Sequence, residues 1–373
     1  MIPSAPRRAS LRRPRIVASL LALAGVAACD IPSSAPIFQQ TWIVPTDSTT
    51  IGVSTFLPAG VSVSGGGAPS FLLTTPSTAV NTTLGALCGQ PACQSSTTVS
   101  APTPAFTSPP GLLGSTVALP SGVNSATVTG GTLNVVIVNN LGFDPLRPNG
   151  TGTAPYGRII FTISSGTVAR TDTIVGSPTV GVPNGTTTTL VATLPTGVYA
   201  SSVSVNVTLV VPAGGTASLN RNNAFALTST LQNFAVSQAT VVVNNVAVNT
   251  SPTSFSLSDV DLSKEVQSGG VFLDIDNPFT AAAALDLVLA APAQGGAPAV
   301  SISKPITIPA QPTSSTSVML SQSELQSLLG KTGVSVRVTG TANGTGAGNT
   351  TSLTPTSHIT IRTRLQLVLN VGA

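Results

Sequence analysis

Val271-Phe272-Leu273-Asp274-Ile275-Asp276-Asn277-Pro278-Phe279 is the stretch whose reading decides the fold. Apolar and polar residues alternate from Val271 to Ile275, the period of a strand with one face buried. Asn277-Pro278 then punctuates it, because proline offers no N–H to a ladder. A second strand, Leu285-Asp286-Leu287-Val288-Leu289, follows. Upstream, Thr132 to Val138 has the same form and ends at Asn139-Asn140. Arg158 to Ile163, Thr187 to Leu194, Val203 to Val211 and Asn223 to Val236 come next, between Gly, Pro and Asn turns. Asn184-Gly185 and Asn343-Gly344 are favourable turn dipeptides. Short strands at this spacing predict a β-sandwich. Alternation in Leu133 to Val138, Val203 to Val211, Val271 to Ile275 and Val334 to Val338 places apolar side chains inward and polar ones outward. Phe161 and Phe272 are the expected core positions.

The two halves echo each other in order. Gly130-Gly131 before the strand ending Asn139-Asn140 matches Gly269-Gly270 before the strand ending Asp276-Asn277. Pro183-Asn184-Gly185 matches Pro309-Ala310-Gln311, and each precedes a Thr-rich strand. Val203 to Thr208 matches Val334 to Thr339, and Thr230-Leu231-Gln232 matches Arg364-Leu365-Gln366. The offset stays between about 126 and 139 residues. Each copy is expected to form one sandwich, with Ala239 to Leu257 as a linking strand pair.

In the second copy, a strand running into Asn277-Pro278 is followed by a second strand and by Ile306-Thr307-Ile308-Pro309. A Ser/Thr-rich edge, a short helix at Ser323 to Gly330 and a final Gly-containing strand complete it. This order resembles the late-embryogenesis-abundant type 2 domain over about 110 residues. The resemblance implies an immunoglobulin-like sandwich without catalytic residues. The family's Asn-Pro-Asn stands here as Asn277-Pro278-Phe279, and the first copy has Asn139-Asn140-Leu141.

Composition narrows the function. Charged residues are 7% of the chain, far below the usual quarter. Five of the fifteen basic residues precede Cys29, which leaves ten against eleven acids. The remainder is therefore near neutral, and nothing in it supports binding to nucleic acid. Abundant Thr and Val favour pleated surfaces over long helices.

Near the start, Arg7, Arg8, Arg12, Arg13 and Arg15 precede the apolar run Ile16 to Ala28. As a helix that run would span about 20 Å, short of a bilayer core of about 30 Å. A cationic segment, a short apolar run and small residues are the layout of an export signal. Val26-Ala27-Ala28-Cys29 resembles the lipobox of bacterial lipoproteins. The resemblance implies cleavage before Cys29, a covalent lipid on its thiol and a bacterial membrane anchor on the periplasmic side or at the cell surface. Residues 30–40 then form a tether. Thr41 to Val44, Thr50 to Val53, Val61 to Val63 and Phe71 to Leu73 are short strands of a small N-terminal β element, with Trp42 as its core anchor.

Cys88 and Cys93 are an even pair in an exported chain, and Gly89 and Pro91 suit a tight turn between them. They are expected to form a disulfide within an irregular connector from Thr74 to about Val123.

Six of the eleven acids fall within 28 positions: Asp259, Asp261, Glu265, Asp274, Asp276 and Asp286. Such oxygen ligands could hold calcium, with Asp259, Asp261, Asp274 and Asp276 as the candidate set. Against this stands a plainly solvated strand face. A Ser-His-Asp triad would need His358, the single histidine, which begins an alternating strand. No phosphate loop, dinucleotide fingerprint or zinc-ligand set is present.

The expected architecture is all-β: tandem immunoglobulin-like β-sandwiches with a small N-terminal β element. Residues 1–28 are a lipoprotein signal. Residues 29–123 carry the tether, the small element and the disulfide loop, 124–238 the first sandwich, and 239–373 linker strands and the second. The expected function is a non-catalytic structural or protein-interaction module at the cell envelope, anchored to the membrane by lipid and meeting an envelope protein partner. An accessory subunit of a larger membrane complex and a calcium or small-ligand binding protein are the alternatives.

Overall fold

The computed structural model describes residues 38–255, 257 and 265–371. Cys29, Asp259 and Asp261 lie outside them. The chain opens with β1 (Phe38–Pro45), β2 (Thr49–Gly52), β3 (Val61–Val63), β4 (Phe71–Leu73) and β5 (Thr78–Thr83). A one-turn helix, α1 (Leu84–Cys88), follows, with the Thr83 hydroxyl accepting from the Ala86 N–H. Gly89, at φ +64°, ends it, a left-handed position that glycine occupies without steric cost. Cys88 is bonded to Cys93, and both are buried.

Next come β6 (Val99–Pro102), β7 (Phe106–Thr107), β8 (Leu113–Ala118), β9 (Val123–Asn139), β10 (Arg158–Ser165), β11 (Val168–Val175), β12 (Thr186–Thr193), β13 (Gly197–Ala200), β14 (Ser202–Val211), β15 (Thr216–Leu219) and β16 (Ala224–Val242). The second half holds β17 (Val246–Asn249), β18 (Thr253–Phe255), β19 (Val266–Asp276), β20 (Ala281–Ala291), β21 (Val300–Ile308) and β22 (Thr313–Leu320). The helix α2 (Gln322–Leu328), β23 (Val334–Gly344), β24 (Thr350–Leu353) and β25 (His358–Val371) complete it. Ser321 and Glu324 cap α2 reciprocally.

These strands make two antiparallel sandwiches. In the first, β12-β9-β16 is extended by β5 and β4 along β16, and it faces β11-β10-β14 with β7 and β8 on β14. In the second, β22-β19-β25 is extended by β1 and β2 along β25, and it faces β21-β20-β23 with β17 and β18 on β23. The strand orders are the same.

The N-terminal strands do not form an element of their own. β1 and β2 complete the second sandwich, while β3 pairs with β4 and β4 with β16 of the first. Strands of three to eight residues are marginal alone, and β16 and β25 each present a long edge. The span from Thr74 to Val123 is likewise built into the fold, with β5 on β16 and β8 on β14. Trp42 lies on the edge strand β1, opposite Leu367, and is 37% exposed. It is not the anchor of a separate sheet.

No linker separates the sandwiches at Val236. β16 continues to Val242, and its Ala239–Val242 end pairs with Thr350–Leu353 of β24. One buried hydrophobic cluster runs from Ile51 to Leu369 through both halves.

Alternation places the core. Leu133, Val135 and Ile137, Val203 to Val211 at every second residue, Val334, Val336 and Val338 are all buried. So are Val271, Leu273 and Ile275, and Phe161 is 1% exposed. Phe272 is a correction. It shares its parity with Asp274 and Asp276 and stands with them on the outer face of β19.

Candidate functional site

In a chain this poor in charge, the place where ion pairs gather is informative. That place is the outer face of β22-β19-β25-β1. β19 sends Phe272, Asp274 and Asp276 outward, and β25 sends Arg362, Arg364 and Gln366. In register, Phe272 faces Arg364 and Asp274 faces Arg362. The ion pairs run diagonally. Arg362 Nη1 lies 2.6 Å from Asp276 Oδ2, and Arg364 Nη1 meets Asp274 Oδ2. The Ser315 hydroxyl donates to Asp274 Oδ1 at 2.8 Å. The Arg364 guanidinium also lies over the Phe272 ring, 5.6 Å from its centre, a cation–π contact.

The Ser315 hydrogen bond, and after it Arg364, hold the Asp274 carboxyl below the usual carboxylate range. The four charged side chains stay between 37% and 60% exposed, so each pair contributes at most about 1 kcal/mol. Apolar residues flank the ladder. Met319 of β22 is 61% exposed and Ile43 of β1 is 59% exposed. They end one cross-strand row, Met319-Gly270-Gln366-Ile43. A Cβ on Gly270 would sit 3.0 Å from Met319 Sδ, so the glycine leaves room for that side chain.

The four charges of this face cancel pairwise, and the Ser315 hydroxyl is held by Asp274. Of the calcium candidates, the structure brings Asp274 and Asp276 together, but an arginine already neutralises each carboxylate. Calcium at this pair would have to displace both guanidinium groups. Asp286 projects from β20 in the opposite sheet. His358 begins β25, exposed, with Nδ1 3.2 Å from the Thr356 carbonyl.

A second feature was not legible beforehand. A cavity of about 510 Å³ lies between the end of α2 and the loop that carries Gln294 and Pro298. Lys331, 8% exposed, borders it and donates through Nζ to the Pro298 carbonyl at 3.0 Å. The only sequence signal was a lysine between Gly330 and Gly333, which reads as an ordinary turn. Among the described residues no helix is long and apolar enough to cross a membrane.

No protein-family model and no curated protein matches this chain. Among solved structures it is similar to a Parabacteroides distasonis protein thought to be secreted, with 8% identity and a TM-score of 0.32 over 88% of this chain and 99% of that one. It is also similar to the tandem CBM22-1–CBM22-2 domains of Paenibacillus barcinonensis Xyn10C, with 11% identity and a TM-score of 0.18 over 90% and 99%. A structure of infectious bursal disease virus Gx strain gives 10% identity and a TM-score of 0.20 over 92% and 74%. At these scores the likenesses carry no argument, and the sandwich architecture rests on the strand pairing itself.

Proposed function

We propose that the chain is a lipid-anchored protein of the bacterial cell envelope whose two sandwiches form a non-catalytic module for contact with another envelope protein. The observation that carries the anchor is Val26-Ala27-Ala28-Cys29 after a short apolar run. The observation that supports a contact role is the ladder of Asp274, Asp276, Arg362 and Arg364 flanked by Met319. Fixed dipoles set beside exposed apolar groups give register and specificity more than affinity. Residence as an accessory subunit of a larger membrane complex fits the same surface.

The test is mass spectrometry of the mature N-terminus together with crosslinking from a photoreactive residue at Met319. A diacylated Cys29 and a discrete crosslinked partner are expected. An unmodified N-terminus, or no partner from intact cells, rejects the corresponding half of the reading.

A second reading, small-ligand binding, is favoured by one observation, the cavity beside buried Lys331. An ammonium group bonded to a single described carbonyl suits a small carboxylate. Calorimetric titration with acetate and succinate tests it, and Lys331→Met should abolish any heat of binding.

A further inference from the structure

The edge strand β1, we propose, is the membrane-contacting part of the molecule: it meets the lipid headgroup region edge-on, with Phe38 and Trp42 reaching in from one face of the strand and Ile43 from the other, and sets the second sandwich upright on the bilayer. The inference rests on the lipid-anchor reading above and adds to it what the anchored domain does at the surface.

Three observations support it. First, this one short strand exposes three large apolar side chains, two of them aromatic. Phe38 is 64% exposed, Trp42 37% and Ile43 59%. Every other Phe side chain that the structure describes is buried or partly buried. Aromatic and aliphatic groups of this kind partition into the interface, where one side is apolar and the other wet.

Second, β1 reads Phe-Gln-Gln-Thr-Trp-Ile-Val-Pro and carries no charge. Placing it at the headgroups therefore desolvates no ion. The charged ladder begins only at its far end, where Pro45 faces Arg364. At the near end its partners are Leu369 and Asn370. Among the described residues the outer edge of β1 pairs with no other strand, and N–H and C=O groups on such an edge suit a hydrated headgroup layer. They would be costly in the hydrocarbon core.

Third, the spacing is short. Residues 30–37 separate Cys29 from Phe38, and a chain of that length reaches at most about 30 Å when fully extended. A lipid on Cys29 thus keeps the start of β1 within about 30 Å of the bilayer surface, close enough for the strand to settle on it. Because β1 belongs to the second sandwich, that sandwich is proximal to the membrane and the first is distal.

Trp42 is the chain's single tryptophan, so its emission reports this strand alone. The full-length lipidated protein is reconstituted into phosphatidylethanolamine–phosphatidylglycerol vesicles containing a lipid with a nitroxide near the headgroup. The N-terminal peptide is weighed from the same sample. The expected result is a lipidated Cys29, loss of Trp42 emission to the nitroxide lipid and protection from aqueous iodide. Phe38→Ser with Ile43→Ser should keep the lipid and the β-type circular dichroism spectrum but lose the nitroxide quenching.

A lipidated protein whose Trp42 ignores the nitroxide and is open to iodide overturns the contact and leaves the anchor standing. Protection from iodide without nitroxide quenching, together with crosslinked dimers, shows that a second copy covers β1 and overturns it as well. Quenching that survives both serine substitutions has the same effect. An unlipidated Cys29 removes the anchor reading and this inference with it.

Discussion

Asn139 and Asn277 make the same three hydrogen bonds in the two sandwiches. Each side-chain amide donates to the carbonyl four residues on, Phe143 in one case at 2.9 Å and Ala281 in the other at 2.9 Å. Each also donates to a carbonyl from a distant loop, Val182 at 2.6 Å and Pro309 at 2.9 Å. Each Oδ1 accepts from the N–H two residues on, that of Leu141 or Phe279. Both asparagines are buried. A second correspondence joins Ser108 and Thr250, whose hydroxyls accept from the N–H of Leu209 and Val338 where an edge strand breaks. Two independent polar motifs thus recur at matching places in one strand order.

Asn139→Ala and Asn277→Ala should therefore be about equally costly. Each leaves two carbonyls and one N–H unmet in the interior, at about 1–3 kcal/mol per unsatisfied group, so a loss of about 3 kcal/mol or more is expected. Aspartate should not rescue either site, because it cannot donate to the two carbonyls. Urea denaturation measures both. A loss below about 1 kcal/mol at either site would contradict the assignment.

The shared strand β16 couples the sandwiches. Phe161→Ala, in the first, should cost roughly 3–5 kcal/mol. Its effect should reach Trp42, which sits in the second. The urea midpoint read from Trp42 emission should move with the midpoint read by circular dichroism. Unchanged Trp42 emission alongside a split dichroism curve would show two independent domains.

Acid should loosen the ladder in a defined window. Folding depresses the Asp274 pKa, through Ser315 first and Arg364 next. Its contribution is thus present above the unfolded value of about 3.9 and lost as pH falls through the lower folded value. Carboxyl chemical shifts followed by NMR should place Asp274 below an ordinary aspartate, and Ser315→Ala should move it upward. Calcium at millimolar concentration should leave the melting temperature unchanged, whereas a rise abolished by Asp274→Asn would support the metal reading.

Alkali acts on the first sandwich. Burial pushes the Tyr199 phenol up to about 12, and its hydroxyl donates to the Pro195 carbonyl at 2.8 Å. A raised pKa means the stabilisation is full below the unfolded value of about 10 and is lost as pH rises through the folded one. Phenolate absorbance should show Tyr199 ionising together with unfolding. Tyr199→Phe should lose about 1 kcal/mol at neutral pH and abolish that alkaline step.

Strand existence was legible because period two is a local property. Alternation marks β9, β14, β19 and β23, and Gly89 and Pro91 mark the Cys88–Cys93 loop. Pairing was not legible, because nothing in Phe38 to Pro45 names β25 as its neighbour more than 300 residues away. Phe272 was misplaced for a different reason. Hydrophobicity alone points it inward, but it shares its parity with Asp274 and Asp276, which mark that side as outward. The candidate site was half readable: its acids stood out, but the arginines that neutralise them belong to another strand.

The pairing of β1 with β25 also sets an order of events. Phe38 faces Val371, so the first described strand has no partner until the last has been made. Ribosomes deliver the chain N-terminus first, and β1 and β2 must wait through the whole of both sandwiches. Contacts at such separation form slowly, and an apolar edge left open in the meantime invites pairing with other chains. Chains truncated before His358 should accordingly accumulate as aggregates rather than as a folded first sandwich with a loose tail.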